Sequence, residues 1–120
     1  MKTFNYENKN YKVFQVTAFN HKRNVIVTPR EYMNGTLALV VMEIITAEDG
    51  VQDLEPYGVL TVNIEHPLQD ETHAFVKAWS ENAQWADDLA SQIGKPTDTV
   101  VPTGYVATRL WEFDLSKLTE

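Results

Sequence analysis

The residues of this chain best suited to chemistry are its three histidines, His21, His66 and His73. His66 and His73 bracket a short acidic segment, His-Pro-Leu-Gln-Asp-Glu-Thr-His, with Asp70 and Glu71 inside it. If that loop folds back, two imidazoles and a carboxylate could meet, a set that ligates zinc or another transition metal. The same imidazoles could serve a small hydrolase as general base. Their spacing matches no helical zinc motif, and Pro67 disfavours a helix there. The expectation is a polar hairpin tip with no bound metal.

Carboxylates recur in adjacent pairs, Glu48-Asp49, Asp70-Glu71 and Asp87-Asp88. General acid–base catalysis needs two carboxyls set across a pocket, in environments that separate their pKa values; sequence neighbours do not supply that. Ser80, Ser91 and Ser116 lie in neither G-x-S-x-G nor S-x-x-K. No Walker or G-x-G-x-x-G motif is present to cradle a phosphate. With no cysteine, these residues form no thiol nucleophile, disulfide scaffold or Cys-ligated metal site. No cofactor and no catalytic activity are expected.

Charge narrows the partners. Ten Lys+Arg stand against seventeen Asp+Glu, a formal charge of −7 over 120 residues. Residues 1–60 hold six cations and seven carboxylates, and residues 61–120 hold four and ten, so the acidity sits in the second half. That disfavours direct nucleic-acid binding, which needs clustered Lys/Arg, and permits a basic partner surface. The basic turn His21-Lys22-Arg23 has Phe14, Phe19 and Tyr32 near it in sequence. Such a mixture can stack bases, but a solvated hairpin tip accounts for it as well. Apolar content of 43% with 22% charged residues is that of a globular domain. Pro and Gly are scattered, and no linker divides the chain, so a single domain over residues 1–120 is expected. No apolar run reaches the ~18 residues of a membrane span, and the first six residues contain no apolar leader core. The expectation is a cytoplasmic protein without membrane contact.

The elements that must position these groups read mostly as strand. Residues 11–18 (YKVFQVTA) put Phe14, Val16 and Ala18 on one face. Residues 20–24 form a polar turn, and Val25-Ile26-Val27 a short strand stopped by Pro29. Asn34-Gly35 and Asp49-Gly50 are turn signals. Between them residues 37–45 (LALVVMEII) read as a central strand buried on both faces, or as a face for a second copy in a homodimer. In residues 59–65, Leu60, Val62 and Ile64 point one way, with Thr61, Asn63 and Glu65 opposite. Residues 73–79 (HAFVKAW) and 104–113 (GYVATRLWEF) are the next strands, with residues 95–103 a Pro/Thr/Asp loop between.

One segment reads as helix. In residues 82–93, Ala86, Leu89, Ala90 and Ile93 make one apolar stripe. Ser80 or Asn82 is the N-cap, and Gly94 with Pro96 is the stop. Trp85 stands at the margin of the stripe, as core or as partner contact, and forms an aromatic cluster with Trp79 and Trp111. Residues 114–118 form a terminal helical turn. The expected fold class is α+β, a twisted antiparallel sheet of about five or six strands with one helix packed on one face.

Two segments resemble a known family. Glu55-Pro56-Tyr57-Gly58-Val59-Leu60-Thr61-Val62-Asn63-Ile64 is similar to an E-P-Y-x-x-L-T-V-N-hydrophobic segment. Gly104-Tyr105 through Leu110-Trp111-Glu112-Phe113 is similar to a G-Y-x-x-x-x-L-W-E-F segment. Both occur in small uncharacterised proteins encoded on plasmids, conjugative elements and phages of mainly Gram-positive bacteria. The resemblance covers residues 37–115. It implies an accessory protein of mobile DNA and carries no assigned activity.

Three functions follow as expectations. The first is a non-catalytic protein-binding module. The second is an acidic mimic of nucleic acid that inhibits a host defence enzyme, which requires Asp70, Glu71, Asp87, Asp88 and Asp98 to share a surface. The third is a small hydrolase using His66 or His73. The binding residues expected, between the 59–65 strand and the helix start, are Tyr57, Asn63, Trp79, Asn82 and Tyr105.

Overall fold

The chain opens with a hairpin that residue alternation does not announce. In the computed structural model, which describes residues 3–120, β1 (Thr3–Tyr6) and β2 (Lys9–Lys12) pair antiparallel. Glu7 and Asn8 turn between them with positive φ, the geometry that matches strand twist. Four longer strands then meander: β3 (Phe14–Ala18), β4 (His21–Glu31), β5 (Leu37–Thr46) and β6 (Gln52–Val59). They form one antiparallel sheet in that order. After Leu60 the chain makes β7 (Thr61–Val62), a loop, β8 (His73–Val76) and a 3-10 turn at Ser80–Asn82. Helix α1 (Ala86–Ile93) runs directly into β9 (Gly94–Thr103), which returns as β10 (Val106–Phe113). A second sheet has the order β7-β8-β10-β9. A last 3-10 turn, Leu115–Lys117, is capped by Asp114, whose Oδ1 accepts from the Ser116 N–H.

This corrects the expected fold class. The protein is mostly β, with ten strands in three sheets of two, four and four among the described residues, not five or six strands in one. The helix does not lie on one face of one sheet. Its buried Ala86, Leu89, Ala90 and Ile93 share a core with Val16, Val25, Leu39 and Val41 of the first sheet and with Ala74, Val76, Trp111 and Phe113 of the second. Burying each larger aliphatic contributes about 1.5–3 kcal/mol. Leu60 is the corner between the sheets. Its N–H donates to Leu39 O (2.9 Å) and its carbonyl accepts from Lys77 N–H (2.8 Å). The uniform strand expected over residues 59–65 is therefore broken, and Thr61 is buried, with Oγ1 accepting from Leu39 N–H.

The β1–β2 hairpin covers the other face of the first sheet. Tyr11 packs with Ile26 and Ile44, joined by Phe4, Tyr6, Met42 and Leu54. Both faces of β5 are thus covered within the chain. Its apolar run, interrupted by Glu43, packs largely within the chain.

Other corrections are local. The 11–18 strand breaks at Val13, where the chain leaves the hairpin for β3. The turn after it is the two residues Phe19-Asn20, so His21–Asn24 already belong to β4. Pro29 does not stop β4: the β3 ladder reaches only to the Phe14–Val25 pair, so beyond Val25 one edge of β4 has no ladder for a missing N–H to break. Residues 95–103 are the edge strand β9. Thr97, Thr99, Val100, Val101 and Thr103 favour a strand, and its prolines are tolerated at an edge. Opposite Leu110, residues 97–99 bulge, held by Thr97 Oγ1 donating to Leu110 O (2.8 Å). The helix begins at Ala86 with Trp85 as N-cap and no side-chain cap. Gly94 is extended (φ −167°), not left-handed. Its need for glycine is steric, because a Cβ there would stand 2.5 Å from the Glu112 carbonyl.

Candidate functional site

The site with the most unusual local structure forms where β6 meets the helix start. Pro56 pairs with Met42 and Gly58 with Val41, leaving Tyr57 as the extra residue of a bulge. Bulges re-aim side chains. Here Tyr57 turns onto the core, and Gly58 makes room for the Trp85 ring, whose Cζ2 would lie 2.9 Å from a Cβ at position 58. Trp85 is 3% exposed, and its indole N–H donates to Glu81 O (3.1 Å). The Tyr57 and Trp85 rings meet at 5.2 Å and 58°. Asn82, 1% exposed, clamps the turn to β6 through Nδ2 donating to Val59 O (2.7 Å), while its Oδ1 has no partner.

Above this pair opens a cleft of about 240 Å³, lined by Phe19, His21, Arg23, Tyr57, Glu81 and Trp85. Two of its walls are built on left-handed residues, Phe19 (φ 54°) and Ser80 (φ 58°). For a bulky side chain this conformation is uncommon and strained. Phe19 is nonetheless 69% exposed, and its N–H donates to Gln84 Oε1 at 2.6 Å. Arg23 pairs with Glu43 (3.1 Å) and Lys77 with Glu81. The Lys77 bond, with Glu81's own backbone N–H and the Ser80 hydroxyl, pulls the Glu81 carboxyl down to about 2. Burial raises the Tyr57 phenol, the Glu43 charge adds to this, and Arg23 opposes it.

The opposite end of the molecule holds a closed polar network. Gln69, buried, donates from Nε2 to Thr36 Oγ1 (2.9 Å) and Asn63 Oδ1 (3.1 Å), and accepts from Ile64 N–H. Asn34 also donates to Asn63 Oδ1. Asp70 Oδ1 accepts from the Thr72 and His73 backbone N–H groups (2.8 and 2.7 Å) and faces His73 Nδ1 (3.1 Å). Burial raises the Asp70 carboxyl, but these bonds and the His73 charge outweigh it and hold it below its ordinary value. His73 Nε2 faces Glu112 (3.4 Å), which also pairs with Lys95 (3.3 Å). The two carboxylates address opposite nitrogens of one ring, so the three do not converge on an ion. Among the described residues no group of His, Asp or Glu is placed to hold a metal. His66 stands apart, its Nδ1 accepting from Leu68 N–H and its ring edge-on to Phe75.

The expected binding residues thus separate. Tyr57 and Asn82 meet through Gly58 and Trp85. Trp79, half-buried, begins the 3-10 turn beside them. Tyr105 is fully exposed at the β9–β10 tip, and Asn63 belongs to the closed network. Phe19 and Arg23 belong to the basic, aromatic-flanked turn that the sequence reads as a solvated hairpin tip, and no sequence signal marks Glu81 as a site residue. The five carboxylates do not share one cleft: Asp70 lines one with Thr97, Glu71 one with Arg30, and Asp87 one with Arg109. No helix among the described residues is long and apolar enough to cross a membrane. Compared with protein-family models, curated proteins and solved structures, the chain matches none.

Proposed function

We propose that the chain is a non-catalytic protein-binding module, an accessory protein of a mobile genetic element, and that it contacts its partner through the Phe19–Tyr57–Trp85 cleft. One observation carries the binding reading. Phe19 combines a left-handed backbone with a largely exposed aromatic ring, two features that each lower stability or solubility. A turn selected for folding alone favours Asn or Gly at this position. Strained residues cluster where function holds them, and exposed aromatics over a packed neighbour are the usual anchors of interfaces. The assignment to mobile DNA rests on the two resembling segments at residues 55–64 and 104–113. Against a hydrolase, both nitrogens of His73 already face acceptors and His66 supports its own loop. Nucleic-acid mimicry has less support, since Asp70, Glu71 and Asp87 line three separate clefts.

The test is the Phe19→Asn variant. Relief of the left-handed strain raises stability by about 1 kcal/mol, read by urea unfolding. In cross-linked capture from a Gram-positive host lysate, wild type recovers a stoichiometric protein that this more stable variant loses. A variant that is stabilised and still recovers the same protein, or a wild type that recovers none, overturns the reading.

A further inference from the structure

Resting on that reading, we propose that the cleft receives a cationic side chain, arginine first, presented by a basic segment of the partner protein. The argument begins with charge. Between Glu43 and Glu55 the β5–β6 hairpin carries five carboxylates and no Lys or Arg. The stretch from Glu81 to Asp88 adds three more with none. Of the neighbouring cations, Arg23 pairs with Glu43 and Lys77 with Glu81, while His21 on the cleft wall and Lys22 beside it form no ion pair among the described residues.

The β5–β6 register sharpens this. Glu55 lies directly opposite Glu43, so both carboxylates share a face, and like charges so placed repel. Arg23 meets Glu43 alone; among the described residues Glu55 forms no ion pair. A second guanidinium beside Arg23 would answer that charge with planar, bidentate geometry. The exposed Phe19 ring and the half-buried Tyr57 ring, backed by the buried Trp85, supply the aromatic surface on which a guanidinium stacks. An ammonium fits the charge but stacks less well.

The experiment is an NMR titration of the full chain with hexa-arginine and, separately, hexaglutamate, at low salt. Hexa-arginine is expected to shift the Trp85 indole N–H and the Phe19 and Tyr57 amides first. Its affinity falls about two- to fivefold in Phe19→Asn and in Glu55→Gln, and falls further as salt rises. Shifts spread evenly over all carboxylates, and unchanged in both variants, overturn the proposal. A localised response to hexaglutamate instead overturns the cationic occupant and leaves the cleft standing as a site. If neither peptide moves these signals while Phe19→Asn still loses the captured protein, only the arginine inference fails. If capture is also retained, both readings fail.

Discussion

The two ends of this molecule use the same kinds of side chain to opposite effect. At the Asn63–His73 end, amides, a threonine, a carboxylate and an imidazole bond to one another and to backbone N–H groups. Polar groups there hold the 63–72 loop against the sheets. At the Tyr57–Trp85 end, a buried amide oxygen has no partner, Phe19, Asn20 and Ser80 are left-handed and an aromatic ring faces solvent. A buried network in which each member is satisfied rigidifies a fold. Groups left strained or unpaired lower stability and persist where something else retains them. On the proposed function, this contrast distinguishes scaffold from contact surface where residue type alone points to the His66–His73 segment.

The largest effect that tests this contrast comes from its two glycines. Gly94→Ala sets a Cβ against a sheet carbonyl at 2.5 Å, which cannot yield, and is expected to destabilise by about 3 kcal/mol. Gly58→Ala meets the Trp85 ring at 2.9 Å, and about 1–2 kcal/mol is expected as the ring shifts. Urea unfolding gives both values, and near-UV circular dichroism should report ring displacement in Gly58→Ala. Equal costs would mean that the cleft floor is as rigid as the sheet.

A smaller difference is expected between two buried amides. Gln69→Ala leaves the Ile64 N–H without a partner and removes one donor each from Thr36 and Asn63, and should cost about 2 kcal/mol. Asn82→Ala removes one bond together with an orphan acceptor, and should cost about 1 kcal/mol or less. A reversed order in unfolding free energies would break the comparison.

Acid gives the smallest effect. The folded Asp70 carboxyl titrates below its ordinary value near 3.8. Its contribution is complete above that value and is lost as pH falls through the lower folded one. Asp70→Asn should therefore lower stability at neutral pH and flatten the acid limb of the melting profile below about pH 4. An unchanged limb would remove Asp70 from the set of groups holding the loop.

Much of the local structure was legible. The stripe Ala86-Leu89-Ala90-Ile93 is the buried helix face, Asn34-Gly35 and Asp49-Gly50 are turns with Gly35 and Gly50 at positive φ, and β5 is buried on both faces. β9 was not legible, because Pro96 and Pro102 look like loop until an edge position makes them harmless. Of the cleft, Tyr57 and Trp85 were legible as candidates, but Phe19, Arg23 and Glu81 join them from separate elements.

Sequence alone determined periodicity, turns, the charge balance and the lack of familiar catalytic motifs, because each is written in contiguous residues. Tertiary structure decided that the chain turns a corner at Leu60, that the helix is shared by two sheets, and that Glu55 stands across from Glu43. Those outcomes depend on pairing between distant strands, whose register is set by burial across the whole fold and by no single segment.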